Sequence, residues 1–92
     1  MNSPPTSAKP AIGRGFRLQW EPAQNAHVLL YPEGMVKLNT SAGEILSRCD
    51  GERTLTAIIA DLEKTFGAVE LSGDVTAFVS MAAKNQWLEL RT

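Results

Sequence analysis

The sequence predicts an α+β domain: a three-stranded antiparallel sheet followed by a three-helix bundle. Three observations predict it. Residues 14–21 alternate apolar and polar side chains, and turn-forming residues separate them from two further short strands within residues 26–38. Three later stretches repeat apolar residues at helical spacing. The 92 residues suit one small domain. At that size folding buries only roughly 60% of the chain's surface, so so small a sheet needs a helical layer against its apolar face.

Taken in order, residues 1–13 hold Pro4, Pro5 and Pro10, two serines, and only Met1 and Ile12 as large apolar groups. Such a composition buries too little surface to offset the entropy of ordering. It is expected to be a flexible N-terminal tail, with residues 14–92 forming the single domain. It also lacks the apolar core of a signal peptide.

The first strand is expected over Arg14–Glu21. Phe16, Leu18 and Trp20 share one face; Arg17, Gln19 and Glu21 share the other. Pro22 ends it, and Gln24-Asn25 supplies a turn. The second strand is Ala26–Tyr31. Pro32-Glu33-Gly34 forms a three-residue loop, with proline presetting φ and glycine free to take positive φ. The third strand is Met35–Leu38, with Val36 and Leu38 on one face and Met35 and Lys37 on the other.

The first helix is expected over Ser41–Cys49. Ser41 and Glu44 fit a capping box, Ala42, Ile45, Leu46 and Cys49 form the apolar stripe, and Gly51 fits a left-handed stop. The second helix has Thr54 as its cap, Leu55, Ile58, Ile59, Leu62 and Phe66 as its stripe, and Gly67 as its stop. The third begins at Ser72 or Gly73, carries Val75, Phe78, Val79 and Ala82, and runs to about Asn85. Trp87–Leu90 is read as a short strand or an extended end that docks Trp87 and Leu88 or Leu90 on the core.

Charge and chemistry narrow the function. Net charge is −1, with +2 on residues 1–39 and −3 on residues 40–92. That balance argues against a surface built to neutralise phosphates. The single cysteine, Cys49, forms no internal disulfide and fits a reducing cytoplasm. It lies on an apolar helix stripe, as a small hydrophobe would. No apolar run approaches the roughly 18 residues of a membrane span. His27, the one histidine, has no marked acid–base partner. No cluster has metal-ligand spacing, and no phosphate-cradling glycine loop or nucleophile motif is present. No catalytic residue, metal or cofactor is therefore expected.

The second and third helices suggest a helix-turn-helix, whose usual partner is DNA. A reading helix should offer several Arg, Lys, Asn or Gln side chains to the groove. Residues 72–86 carry one base, Lys84, and one acid, Asp74; Asn85 and Gln86 stand at the far end. DNA binding remains the alternative, but it fits poorly. The meander has a more telling feature. Its third strand keeps one edge free, and an open edge accepts an added strand unless it is blunted. Lys37, the short strand or a covering C-terminus could blunt it. The same edge, or exchange of the N-terminal hairpin, could also pair two copies as a dimerisation module.

The ordered motifs are similar to those of the PqqD family of pyrroloquinoline quinone biosynthesis. The resemblance runs from about Arg14 to Leu90. Its most specific parts are Leu30-Tyr31-Pro32-Glu33-Gly34, Leu38-Asn39, Ala42 with Ile45-Leu46, Cys49-Asp50-Gly51 and Asp74-Val75. The family often has a glycine before its last apolar pair; here Asn85-Gln86 precede Trp87-Leu88. The resemblance implies a winged-helix-like peptide-recognition domain and no enzymatic activity. It implies binding of the precursor peptide PqqA and its presentation to PqqE, a radical S-adenosylmethionine enzyme. The peptide would add beside Met35, Val36, Lys37 and Leu38, against a helix wall drawn from Val75, Phe78, Val79 and Ala82.

Overall fold

The computed structural model describes residues 4–91. The elements in chain order are β1 (Lys9–Ile12), β2 (Arg17–Glu21), β3 (Ala26–Tyr31), β4 (Gly34–Lys37), α1 (Thr40–Leu46), α2 (Leu55–Phe66), α3 (Ser72–Lys84) and β5 (Leu88–Arg91). Strands β2, β3 and β4 form the expected antiparallel meander, and the three helices follow it. A second sheet, which the sequence did not suggest, joins β1 to β5.

The meander's register explains its faces. Leu18, Leu29 and Val36 stand opposite one another and face the helices. Gln19, Val28 and Lys37 form the next row and face the other way. The hairpin turn is tighter than expected: Gly34 joins β4 opposite Tyr31, which leaves Pro32-Glu33 as a two-residue connection. Strand β2 begins later than expected, because Gly15 takes φ 87° and the Phe16 N–H bonds back to the Gly13 carbonyl at 3.0 Å.

The helices cover the sheet's inner face. Leu29, Leu46, Leu55, Ile58 and Val79 form the centre of one core, with Cys49, Leu62, Val75 and Ala82 around them. Each leucine, isoleucine or valine among them contributes about 1.5–3 kcal/mol when fully buried. Thr54 and Gly67 cap α2 as expected: the Thr54 hydroxyl accepts from the Ala57 N–H at 3.1 Å, and Gly67 takes φ 61°. The capping box on α1 is corrected. Asn39, in extended conformation, is the N-cap, and its Oδ1 accepts from the Ala42 N–H at 2.8 Å. Glu44 is then free to bond Arg48. The helix proper ends at Leu46, and a tighter turn carries the chain on to a still-buried Cys49.

The flexible tail is also corrected. Lys9–Ile12 is a strand paired antiparallel with Leu88–Arg91, and Pro4, Ala8, Pro10 and Ala11 are buried. Met1–Ser3 lie outside the described residues. Backbone bonding explains the order. The Ala8 carbonyl accepts from Leu55 N–H at 2.8 Å, Thr6 from Thr56 at 3.1 Å, and Pro10 from Gly51 at 2.8 Å. Two of the N–H groups that α2 leaves unpaired at its start are thereby satisfied by this segment. The last residues are accordingly a strand, not a loose end. They pair with β1, so that among the described residues β4 has β3 as its one partner strand.

Gly13 marks the tightest crossing. Its N–H donates to the Trp87 carbonyl at 2.8 Å, and a Cβ at this position would overlap the Gln86 carbonyl. Neither group is a flexible side-chain end, so the backbone must move. Gly13→Ala is expected to destabilise the fold by about 1–3 kcal/mol, read as a lowered urea midpoint with an unchanged slope.

A candidate binding groove beside an open strand edge

Strand β4 has one partner, β3, and its other side is unpaired among the described residues. The Leu38 N–H donates to the His27 carbonyl at 3.0 Å. Hydrogen bonding alternates along an antiparallel strand, so Val36 and Gly34 also bond inward. Met35 and Lys37 therefore turn their N–H and C=O groups outward. The edge offers two donors and two acceptors to an incoming chain. Their side chains lie on the outer face, where Met35 is 51% exposed.

Where β4 ends, a groove of about 350 Å³ begins. Asn39, Thr40, Ser41 and Ala42 form its near wall at the start of α1. Ile45 and Leu62 line its floor. Phe66 and Ala68, at the end of α2, close one side, and Leu71, Asp74, Val75 and Phe78 form the far wall. Most of this lining is apolar. Phe66, which the helical pattern assigned to the core stripe, is 52% exposed.

Two packing devices hold the walls. His27, on β3, lies against Gly43 of α1, where an added Cβ would be 2.7 Å from its Nδ1. Only a residue without a side chain lets α1 approach the sheet so closely. Arg48 then ties α1 to α2. Its guanidinium donates to the Glu44 carboxylate and carbonyl, both at 2.9 Å, and to the Asp61 carboxylate. The Arg48 hydrogen bond holds the Asp61 carboxyl below the usual carboxylate range. This clasp is thus present at neutral pH and is lost as acid protonates Asp61.

The residues expected from sequence divide into four pairs. Met35 and Lys37 present the open edge, while Val36 and Leu38 point inward and pack on the core. Val75 and Phe78 line the groove. Val79 and Ala82 are fully buried behind it. Sequence reasoning missed the α1 start and Phe66. The Leu38-Asn39 motif, with its capping asparagine, was the available signal for the first; nothing local signalled the second.

Chemistry elsewhere is sparse. Among the described residues no group of three His, Cys, Asp or Glu side chains could hold a metal ion, and no helix is long and apolar enough to cross a membrane. Burial, with Asp50 nearby, pushes the Cys49 thiol up to about 12. It therefore stays protonated in the folded state through pH 6–9, whereas an unfolded thiol ionises near pH 8.5. Alkylation by iodoacetamide at pH 8 should be at least about a hundredfold slower in the native protein than in urea, since it must await opening. The same shift makes Cys49 cost stability as pH rises above its unfolded value.

The chain matches the family model for coenzyme PQQ synthesis protein D (PqqD) over residues 26–88. It is 54% identical over 83 residues to the PqqA binding protein of Stutzerimonas stutzeri A1501, covering 89% of this chain and 90% of that one. It is 51% identical over 92 residues to the PqqA binding protein of Pseudomonas aeruginosa UCBPP-PA14, covering 99% and 100%. Its fold is similar to the solution NMR structure of the PqqD part of Methylobacterium extorquens PqqCD, with TM-score 0.67, 32% identity and 87% of each chain covered. That structure represents a functional, stand-alone recognition element for ribosomally synthesised and post-translationally modified peptides.

Proposed function

Because this chain belongs to the PqqD family, we propose that it is a peptide chaperone of pyrroloquinoline quinone biosynthesis. It binds the precursor peptide PqqA by strand addition at β4 and presents it to the radical S-adenosylmethionine enzyme PqqE. Its part is recognition, and the chemistry belongs to the enzyme. The observation that carries this reading is the pairing of a free edge at Met35 and Lys37 with an apolar groove that starts two residues further on.

Energetic scale favours using both features. Four added backbone hydrogen bonds contribute about 0.5–1.5 kcal/mol each. Micromolar affinity needs about 8 kcal/mol, and ordering a disordered peptide costs about 2–5 kcal/mol more. Backbone pairing therefore falls short. Burying two leucine-sized side chains adds about 1.5–3 kcal/mol apiece, which reaches the micromolar range only at the upper end of these figures. The groove between Ala42, Ile45, Phe66, Val75 and Phe78 has the lining for such side chains. The edge fixes backbone direction and register, and the groove reads side chains.

Lys37→Pro removes one outward donor and leaves the β3–β4 ladder intact, since the Lys37 N–H does not bond to β3. PqqA affinity, measured by calorimetry, should fall at least about tenfold, equivalent to about 1.4 kcal/mol, with the circular dichroism spectrum unchanged. Unaltered affinity in a folded variant would refute strand addition. Phe78→Ala should weaken binding by a similar factor if the groove takes part.

A further inference from the structure

Among the described residues Asp74 is the one charged side chain of the groove without an ion-pair partner. Only two charged residues line it, Glu44 and Asp74, and neither Lys nor Arg is among the lining residues. The Glu44 carboxylate is paired with Arg48 at 2.9 Å, a guanidinium it shares with Asp61. Asp74 enters no ion pair among the described residues. It stands in the first turn of α3, next to the groove-lining Val75 and one turn from Phe78. Glu63, nearby, places its carboxylate on the Leu71 N–H at 2.9 Å, so the groove's far wall begins in an acidic setting.

We propose that Asp74 selects a cationic side chain. The groove takes a peptide segment whose apolar side chains fill the floor and whose Lys or Arg reaches this carboxylate. The inference deepens the peptide-binding reading and rests on it. An extended segment turns alternate side chains to one face, so two apolar residues can enter the groove while a neighbour stays at the rim. A Lys or Arg there lays its methylene stem along the apolar wall of Leu71 and Phe78 and keeps its charge at the mouth. Charge complementarity of this kind chooses among peptides more than it adds raw affinity.

Asp74 also favours the start of α3, which has no side-chain cap. A helix role and a recognition role give different results in a double-mutant cycle. Calorimetry would compare wild type, Asp74→Asn and Asp74→Glu against the PqqA peptide of the same organism and against versions with each Lys or Arg singly replaced by Gln. Asp74→Asn should weaken PqqA binding about three- to fivefold at low salt. One peptide replacement should weaken wild-type binding equally and leave Asp74→Asn unaffected. Asp74→Glu should restore most of the affinity, and the whole effect should shrink at 0.5 M salt. If wild type binds PqqA and no replacement couples to Asp74, the selection is overturned while the peptide-binding reading stands. If wild type does not bind PqqA at all, both fall. The peptide-side replacements need no protein variant, so the test survives a loss of stability in Asp74→Asn.

Discussion

A three-stranded sheet leaves the outward backbone groups of its outer strands unpaired, and on β4 these belong to Met35 and Lys37. Backbone donors and acceptors cannot be mutated away, so a protein must either cover such an edge or use it. This chain could have covered it. Its last strand is four residues long and amphipathic, and it pairs with β1 instead. Among the described residues the outer side of β4 therefore has no partner strand, and the groove begins where the chain leaves β4 for α1.

The rest of the molecule reads as scaffolding for that arrangement. The N-terminal segment supplies carbonyls to the start of α2 and a partner strand to β5. Strand β5 follows directly on α3, so holding it also holds the far wall of the groove. On the near side, Gly43 lets α1 lie close to His27, and Arg48 ties α1 to α2 through Glu44 and Asp61. Neither clasp uses the groove's apolar residues. Phe66 and Phe78 are left partly exposed at the groove's rim.

The division between edge and groove also bears on specificity. Every peptide carries the same backbone, so strand addition alone discriminates little. Discrimination must come from side chains, and the groove differs from the edge in having a shape, an apolar floor and, among the described residues, one carboxylate outside any ion pair. A recognition domain built this way can keep its edge unchanged and alter its preference through a few residues at the start of α1 and on α3.

Local pattern was enough for the elements that have it. Alternation in residues 16–21 and the turn residues around 26–38 marked the meander, and the spacing of Leu55, Ile58, Ile59 and Leu62 between Thr54 and Gly67 marked α2 almost to the residue. Turn chemistry and helix caps act over three or four residues, so they are legible in order along the chain. The strand at Lys9–Ile12 was not, because its stability lies in bonds to partners some eighty residues away and in the burial of small side chains. The choice of Asn39 over Ser41 as the cap depended on Leu38 being drawn into the core. Most of all, periodicity assigns a side chain to a helix face but cannot say what stands opposite it. Val75, Phe78, Val79 and Ala82 share one stripe, yet the first two line the groove and the last two are sealed beneath it. That separation comes from where α1 and the end of α2 pack against α3, and it exists only in the assembled molecule.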